Sequence, residues 1–283
     1  MEPSAAGVDA SQFGRIRVGI ALPALPPNTR LPAAAIASVR VKLGVFCRAL
    51  ADATAATAEP HTFPDYAALL GAMTRGDLEL AWLPPLIAAR AAAAQTIVPV
   101  VVPVRAEDAW YHSALFSRAA SPVRKLEDLR GVTAAWVDPE SMAGYSVVRA
   151  TLRMRGIDLA AAFARQSFVG AHEAVVQAVL SGAADVGATF VHLAQDGRTV
   201  LRAGWGTAAV NVILLAGPIP GDVLAAGKNV SAAVVDAVRG ALTGQVREEL
   251  RGAALALLEA DRFVEADAGR LAALAKLLDH LDG

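Results

Sequence analysis

Several short stretches place polar side chains where a small molecule could be gripped. Tyr66 follows "FPD", Tyr111 and His112 open "YHSALFSR", and His172 and Glu173 follow "VGA". His192 follows "TFV", and Asp222 ends "PIPGD". Ser141 stands in Asp138-Pro139-Glu140-Ser141-Met142-Ala143-Gly144, between the end of the strand "VTAAWVD" and an abrupt helix start. A serine at that point caps the helix, and the first turn behind it aims backbone N–H groups and partial positive charge at whatever lies in front. The chemistry offered is donation to an oxyanion, from a hydroxyl, imidazoles, phenols and backbone amides. Met142 and Ala143, next to the serine, add no side-chain donor. Each residue also has a plain structural use: Ser141 as an N-cap worth about 1 kcal/mol, His172 as a solvent-facing helix residue, Tyr66 and Tyr111 as packing aromatics, Asp222 as a turn residue.

Other chemistries find no support. The histidines are His61, His112, His172, His192 and His280. None shares i, i+4 spacing with another or has a paired-cysteine partner, so no metal site is expected. There is no G-x-S-x-G elbow, no G-x-G-x-x-G and no P-loop. The acidic pair in Leu126–Asp128 reads as a solvated helix face, and no cofactor is expected.

The elements that must position these residues come from a chain of 283 residues, 55% hydrophobic, with net charge −1. That is enough for one large or two modest domains with a sizeable core, although much of the apolar content is alanine. Near-zero charge removes the electrostatic footprint of a nucleic-acid binder or a polybasic membrane surface. The single cysteine, Cys47, reads as a buried small apolar residue on a helix. "MEPSAAGVDASQFGRIRVGIALPALPP" has no basic region followed by an apolar one and a small-residue cleavage site. "TIVPVVVPV" is too short to span a bilayer and carries two prolines. The expectation is a cytoplasmic chain without membrane insertion, or a periplasmic one if a leader has been removed.

After a frayed residue 1–14 segment, strand and helix signals alternate. "RIRVGIAL", "TAEPHTF", "LELAWL" and "IVPVVVPV" read as strands, separated by helices over "PAAAIASVRVKLGVFCRALADAT", "PDYAALLGAMTRG" and "PLIAARAAAA". The pattern restarts near residue 107. "YHSALFSR", "VTAAWVD", "AADVGATF" and "VNVILLAG" are strands; "SPVRKLEDLRG", "SMAGYSVVRATLRMRG" and "HEAVVQAVLSG" are helices. An all-helical tail is expected from Ser231 to Leu281. This alternation predicts α/β units with mostly parallel sheets. The preferred arrangement is one lobe interrupted by another: lobe 1 from 15–106 plus 209–283, lobe 2 from 107–208, with a ligand cleft between them. Hinges are then expected near Val104–Trp110 and Gly206–Asn211.

From Asp65 to Asn229 the chain resembles the phosphate/phosphite/phosphonate-binding component of ABC importers, a type II periplasmic-binding-protein fold. The resemblance rests on "DYAALLGAMTRGDLELAWLPP", "AWYHSALFSR", "SPVRKLEDLRGVTAAWVDPESMAGY", "FVGAHEAVVQAVLSGAADVGAT" and "IPGDVLAAGKNVS", in the family's order and spacing. It implies a two-lobed α/β protein in which Tyr66 and Tyr111 line the ligand. The family's D-P-x-S-T-S-G loop, here Asp138–Gly144, holds the phosphoryl oxygens. Ser141 is kept, and Met142 and Ala143 replace two hydroxyls. The family's A-G-H-E histidine corresponds to His172 and its P-G-D aspartate to Asp222. Where some amino-phosphonate binders carry an acidic residue, this chain has His192.

The leading expectation is therefore a non-catalytic solute-binding protein closing on a small anionic or oxyanion-bearing ligand, phosphonate-like, phosphate-like or carboxylate, and working with an ABC permease or as an intracellular sensor or sequestering variant. One alternative is an enzyme on the same fold, with His172 and Glu173 as acid–base groups. Such recruitment is implied by futalosine-type menaquinone and thiamin-precursor enzymes that share the fold. A third is an interaction domain with a degenerate pocket.

Overall fold

The computed structural model describes residues 14–22, 33–104, 109–139, 141–194, 196–260 and 262–281. Glu140, whose direction bears on anion binding, lies outside them, as do most of the 1–14 segment and residues 105–108 of the first expected hinge.

In chain order the elements begin with β1 (Arg15–Ala21), α1 (Ala33–Thr54), β2 (Thr57–Phe63), α2 (Tyr66–Arg75), β3 (Leu80–Leu83), α3 (Pro85–Ala93) and β4 (Ile97–Val104). There follow β5 (Trp110–Arg118), β6 (Val132–Trp136), α4 (Val147–Met154), α5 (Leu159–Ala162), β7 (Phe163–Phe168), α6 (His172–Ser181), β8 (Val186–Leu193), β9 (Val200–Ala203) and β10 (Val210–Pro220). The chain ends with β11 (Val223–Gly227), α7 (Ala232–Thr243), α8 (Glu248–Leu258), β12 (Arg262–Glu265) and α9 (Ala268–Leu278). Among the described residues no helix is long and apolar enough to cross a membrane.

Two compact units result: residues 1–109 with 221–268, and residues 110–220 with 269–283. In the first unit the strands lie in the order β12-β4-β11-β3-β1-β2. β1 is parallel to β2 and β3, whereas β11 and β12 run antiparallel to their neighbours. Helix α1 supplies Leu43, Phe46, Cys47 and Leu50, an i, i+3, i+4, i+7 stripe, to a core shared with Ile16, Val18, Leu80 and Trp82 of the sheet. Val234, Val238 and Leu242 of α7 and Leu250 and Leu258 of α8 close the same core.

In the second unit the order is β10-β5-β8-β6-β7, with β9 added to β8. β6 is parallel to β7 and β8, while β5 and β9 are antiparallel to β8. Helix α6 covers one face with Val175 and Val179, packed on Ala114, Phe116, Ala135 and Val191. Gly187 of β8 is needed there, because a Cβ would stand 2.5 Å from Val175 Cγ1 and 2.9 Å from Val179 Cγ2.

Several expectations shift. The return to the first unit falls at Pro220–Gly221 rather than near 209, because β10 pairs along β5 from Val210↔Arg118 to Pro220↔Trp110. The chain also crosses a third time, at Ala268–Gly269. Arg270 lies over the Trp110 ring at 4.9 Å, and Arg153 donates to the His280 carbonyl at 3.2 Å and to that of Leu281. The tail is not all helical. β12 pairs with β4, and Phe263 meets Trp82 edge-on at 6.2 Å. The helix expected over "SPVRKLEDLRG" is a single 3-10 turn, Leu126–Asp128. There the Asp128 carboxylate accepts from the backbone N–H of Arg124 (2.9 Å) and Lys125 (3.1 Å), local bonds that compete with a helical ladder.

Candidate functional site

In the second unit, β6, β7 and β8 run in one direction and β5 in the opposite one, so the ends of the first three and the start of β5 share one edge of the sheet. Ser141 follows β6, His172 follows β7, His192 ends β8 and Tyr111 opens β5. Four of the expected residues therefore meet at the carboxyl edge, where ligands of α/β sheets bind. In the first unit Tyr66 follows β2 and Asp222 precedes β11, whose Val223 pairs with Leu83 at the end of β3. Both stand at the carboxyl edge of that sheet and are half-buried. Tyr66 is the first residue of α2, held there by Asp65, whose carboxylate accepts from Ala68 N–H at 2.7 Å.

The turn after Ser141 is wound more loosely than an α-helix. Met142–Ser146 form a π-helical turn that runs into α4, with Ser146 N–H donating to the Ser141 carbonyl at 2.9 Å. Ser141 Oγ caps this turn by accepting from Gly144 N–H at 3.1 Å. Its own hydroxyl proton can still be donated outward. Gly144 is obligatory: a Cβ would lie 2.3 Å from Val137 Cγ2 and 2.8 Å from Ser141 Oγ. Met142 and Ala143 are 7% and 3% exposed, so what they can offer a ligand is backbone N–H. The buried Ser113 hydroxyl of β5 donates to the Ala143 carbonyl and pins the turn to the sheet.

His172 begins α6. Its Nδ1 is 3.0 Å from Thr189 Oγ1, a hydroxyl with no exposure. The contact is satisfied in either sense: a neutral ring can accept the hydroxyl proton at Nδ1, or donate from Nδ1 to the hydroxyl oxygen. Burial lowers the His172 pKa, against the opposing pull of Glu173 and Asp138. The lowered pKa favours the neutral ring, and in the tautomer that accepts from Thr189 its Nε2 is an N–H donor.

Two residues missed in the sequence complete this region. The Phe190 ring lies edge-on to His172 at 5.3 Å and to His192 at 6.0 Å, and the Arg202 guanidinium stands 5.6 Å from it. Phe190 gave no signal, being one more apolar residue of the strand in "ATFVHL". Arg202 left none, since its place depends on how β9 pairs with β8. Among the described residues no cluster of histidine, cysteine, aspartate or glutamate could hold a metal ion. Cys47 is buried in the first unit, its thiol pushed up to about 12 by desolvation.

Comparison with known proteins agrees with this fold. The protein XAC2383 of Xanthomonas citri, solved with chloride, is 18% identical over 95% of this chain and 98% of its own, with a TM-score of 0.68. PhnD1 of Prochlorococcus marinus, in complex with methylphosphonate, is 15% identical over 95% and 98% of the two chains, with a TM-score of 0.56. PA3383 of Pseudomonas aeruginosa, a binding protein component of an ABC phosphonate transporter, is 22% identical over 94% and 85%, with a TM-score of 0.52. At these identities the likeness shows the fold, that of type II periplasmic binding proteins. The family model described as "ABC transporter, phosphonate, periplasmic substrate-binding protein" matches residues 31–270. Most of the chain is thereby accounted for, and the protein belongs to the phosphonate-type periplasmic substrate-binding protein family of ABC transporters.

Proposed function

We propose that this solute-binding protein takes up a small oxyanion-bearing ligand at the carboxyl edge of its second sheet and delivers it to an ABC permease without chemical change. The single observation that carries the reading is the convergence of Ser141, His172 and Tyr111 on that edge, with the His172 ring oriented by its bond to Thr189. Ser141 and the N–H groups behind it would receive the oxyanion, and His172 Nε2 and the Tyr111 phenol would donate beside it. Tyr66 and Asp222 of the first unit, and His192, remain proposed ligand contacts. The two hydroxyls lost at Met142 and Ala143 leave fewer donors for a phosphoryl dianion. A net hydrogen bond to a charged group is worth about 1.5–3 kcal/mol, so a phosphonate monoester, phosphinate or carboxylate suits the site at least as well as phosphate.

The family is periplasmic, so the expectation of a cytoplasmic chain gains no support from it and the periplasmic alternative fits. A sensor or sequestering role has no observation of its own here.

The test is thermal unfolding against phosphate, phosphite, alkylphosphonates and short carboxylates. A ligand at a hundred times its dissociation constant adds about 2.7 kcal/mol of stability. A shift with one class that disappears in Ser141→Ala with His172→Ala supports the reading. Absence of any shift across all classes would sink it.

A further inference from the structure

Resting on the oxyanion reading above, we propose that the ligand carries a second anionic group, a carboxylate or its equivalent, received by a row of Tyr111, His192 and Arg202 across the second sheet. The row follows from strand register. His112 pairs with Val191, so Tyr111 stands opposite His192, and their rings are 6.1 Å apart. On the other side of β8, His192 pairs with Arg202 of β9. Side chains alternate along a strand, so directly opposed residues share a face. Tyr111, His192 and Arg202 thus stand side by side, on the face that also carries Ser113 and Phe190, themselves opposed one row further in.

That inner row locates the outer one relative to the oxyanion turn. Ser113 is bonded to the Ala143 carbonyl, so the turn after Ser141 abuts the inner row. The outer row is two residues further along the strands, about 7 Å at the rise of a β-strand. A ligand with one charged end at the turn would present its other end to Tyr111, His192 and Arg202 across two or three carbons.

The chemistry of the row sets the sign of that end. It offers a phenol, an imidazole and a guanidinium, and contains no carboxylate. Arg202 is held against the Phe190 ring at 5.6 Å, so a cation already occupies that aromatic face. Glu173 and Asp138, the carboxylates acting on His172, stand after β7 and β6 rather than on β8 or β9. An ammonium end would meet Arg202; a carboxylate end would gain a charge-assisted bond from it.

The experiment is calorimetric titration with two series of matched length. One comprises propylphosphonate, 2-aminoethylphosphonate and 3-phosphonopropionate; the other comprises valerate, 4-aminobutyrate and glutarate. The expected result is that the carboxylate-capped member of at least one series binds tenfold or more tighter than its uncapped and amine-capped analogues, as one charge-assisted bond implies. In Arg202→Gln that ratio falls towards one, and in Arg202→Glu the amine-capped member overtakes. Arg202 is on the surface, so these variants should fold, which their unfolding temperatures check. If members of a series bind but the carboxylate cap brings no gain, or the gain survives Arg202→Gln, the proposal is wrong while the oxyanion reading stands. If no member of either series binds, and the wider panel of phosphate, phosphite and short carboxylates gives no thermal shift, both fall together.

Discussion

His172 Nδ1 and Thr189 Oγ1 are 3.0 Å apart, joining the first residue of α6 to the interior of β8. Thr189 is wholly buried, and its methyl and hydroxyl lie so close to Gly204 that a Cβ on that glycine would come within 2.1 Å of Oγ1. The Thr189 side chain is therefore confined by the turn after β9 as well as by its own strand. This bond orients the His172 ring and commits Nδ1, so any bond to a ligand falls to Nε2.

The first prediction concerns pH. Burial depresses the His172 pKa below the ordinary 6.5. In the unliganded protein this group favours the folded state above pH about 6.5, and that contribution is lost as pH falls through the depressed folded value. An anion against Nε2 stabilises the imidazolium and raises the pKa, so binding takes up a proton. Affinity for a probe that does not itself titrate between pH 5 and 8, such as an alkylsulfonate or short carboxylate, should rise as pH is lowered below 7. Calorimetry in two buffers of different ionisation enthalpy measures the uptake. No uptake, or a pH dependence that persists in His172→Gln, contradicts the assignment.

Thr189→Val tests the same relationship from the other side. It removes the hydroxyl, leaves Nδ1 without its partner and frees the ring to turn. Affinity for the same probe should fall by about tenfold, the low end of a bond to a charged group, with the unfolding temperature changed by far less than a core truncation would cause. An unaltered affinity would mean that His172 does not donate to the ligand.

Ser141 and Gly144 separate capping from ligand contact. Ser141→Ala removes the bond from Gly144 N–H and should cost about 1 kcal/mol of stability, plus any affinity due to its hydroxyl. Gly144→Ala places a methyl 2.3 Å from Val137 Cγ2 and should cost about 1–3 kcal/mol. Denaturant midpoints give both numbers. A harmless Gly144→Ala would show that the turn is looser than its geometry states.

Much of this was readable in the sequence for a physical reason. "LAWL" and "VVVPV" are contiguous apolar runs, as strands buried on both faces are, and both are buried throughout. Gly76 and Gly182 mark helix ends, and both adopt φ near 80°, as an αL cap demands. Ser141 and Tyr111 adjoin strands legible in the sequence, whereas His172 was placed by its helix start alone, because the strand before it, β7, was not read. β7, β9, β11 and β12 escaped because strands of four to six residues owe their form to the strands beside them more than to their own pattern. Thr189 hid as a polar residue within an apolar run, and the three-strand row through Arg202 exists only once register is known. Asp128 turned an apparent helix into a single turn by bonding back to its own backbone, a competition that hydrophobic spacing does not reveal.

Cys47 should be inert. It sits with Leu43, Phe46 and Leu50 in the core of the first unit, and desolvation pushes its thiol up to about 12. Only the thiolate reacts, so a maleimide or iodoacetamide should label the native protein no faster than it opens, and label fully in denaturant. Prompt labelling at pH 7.5 without denaturant would place α1 away from the sheet.

Asp185 and Thr133 tie the start of β8 to β6. The carboxylate accepts from Thr133 N–H at 2.8 Å and from Thr133 Oγ1 at 2.7 Å, while Asp185 N–H donates back to the Thr133 carbonyl at 2.9 Å. The backbone bond and then the hydroxyl bond hold the Asp185 pKa below its ordinary value, against some desolvation and with help from Arg118 and Arg165. A depressed carboxylate contributes stability that is present above its unfolded pKa and lost as pH falls through the folded one. Asp185→Asn should therefore lower the urea midpoint at pH 7 by the equivalent of about 1 kcal/mol, the low end for a bond to a charged group that faces water. At pH 3 the difference from the parent protein should shrink, because there the carboxylate of the unfolded chain is already protonated. An equal loss at both pH values would mean that the aspartate acts through its shape and backbone rather than its charge.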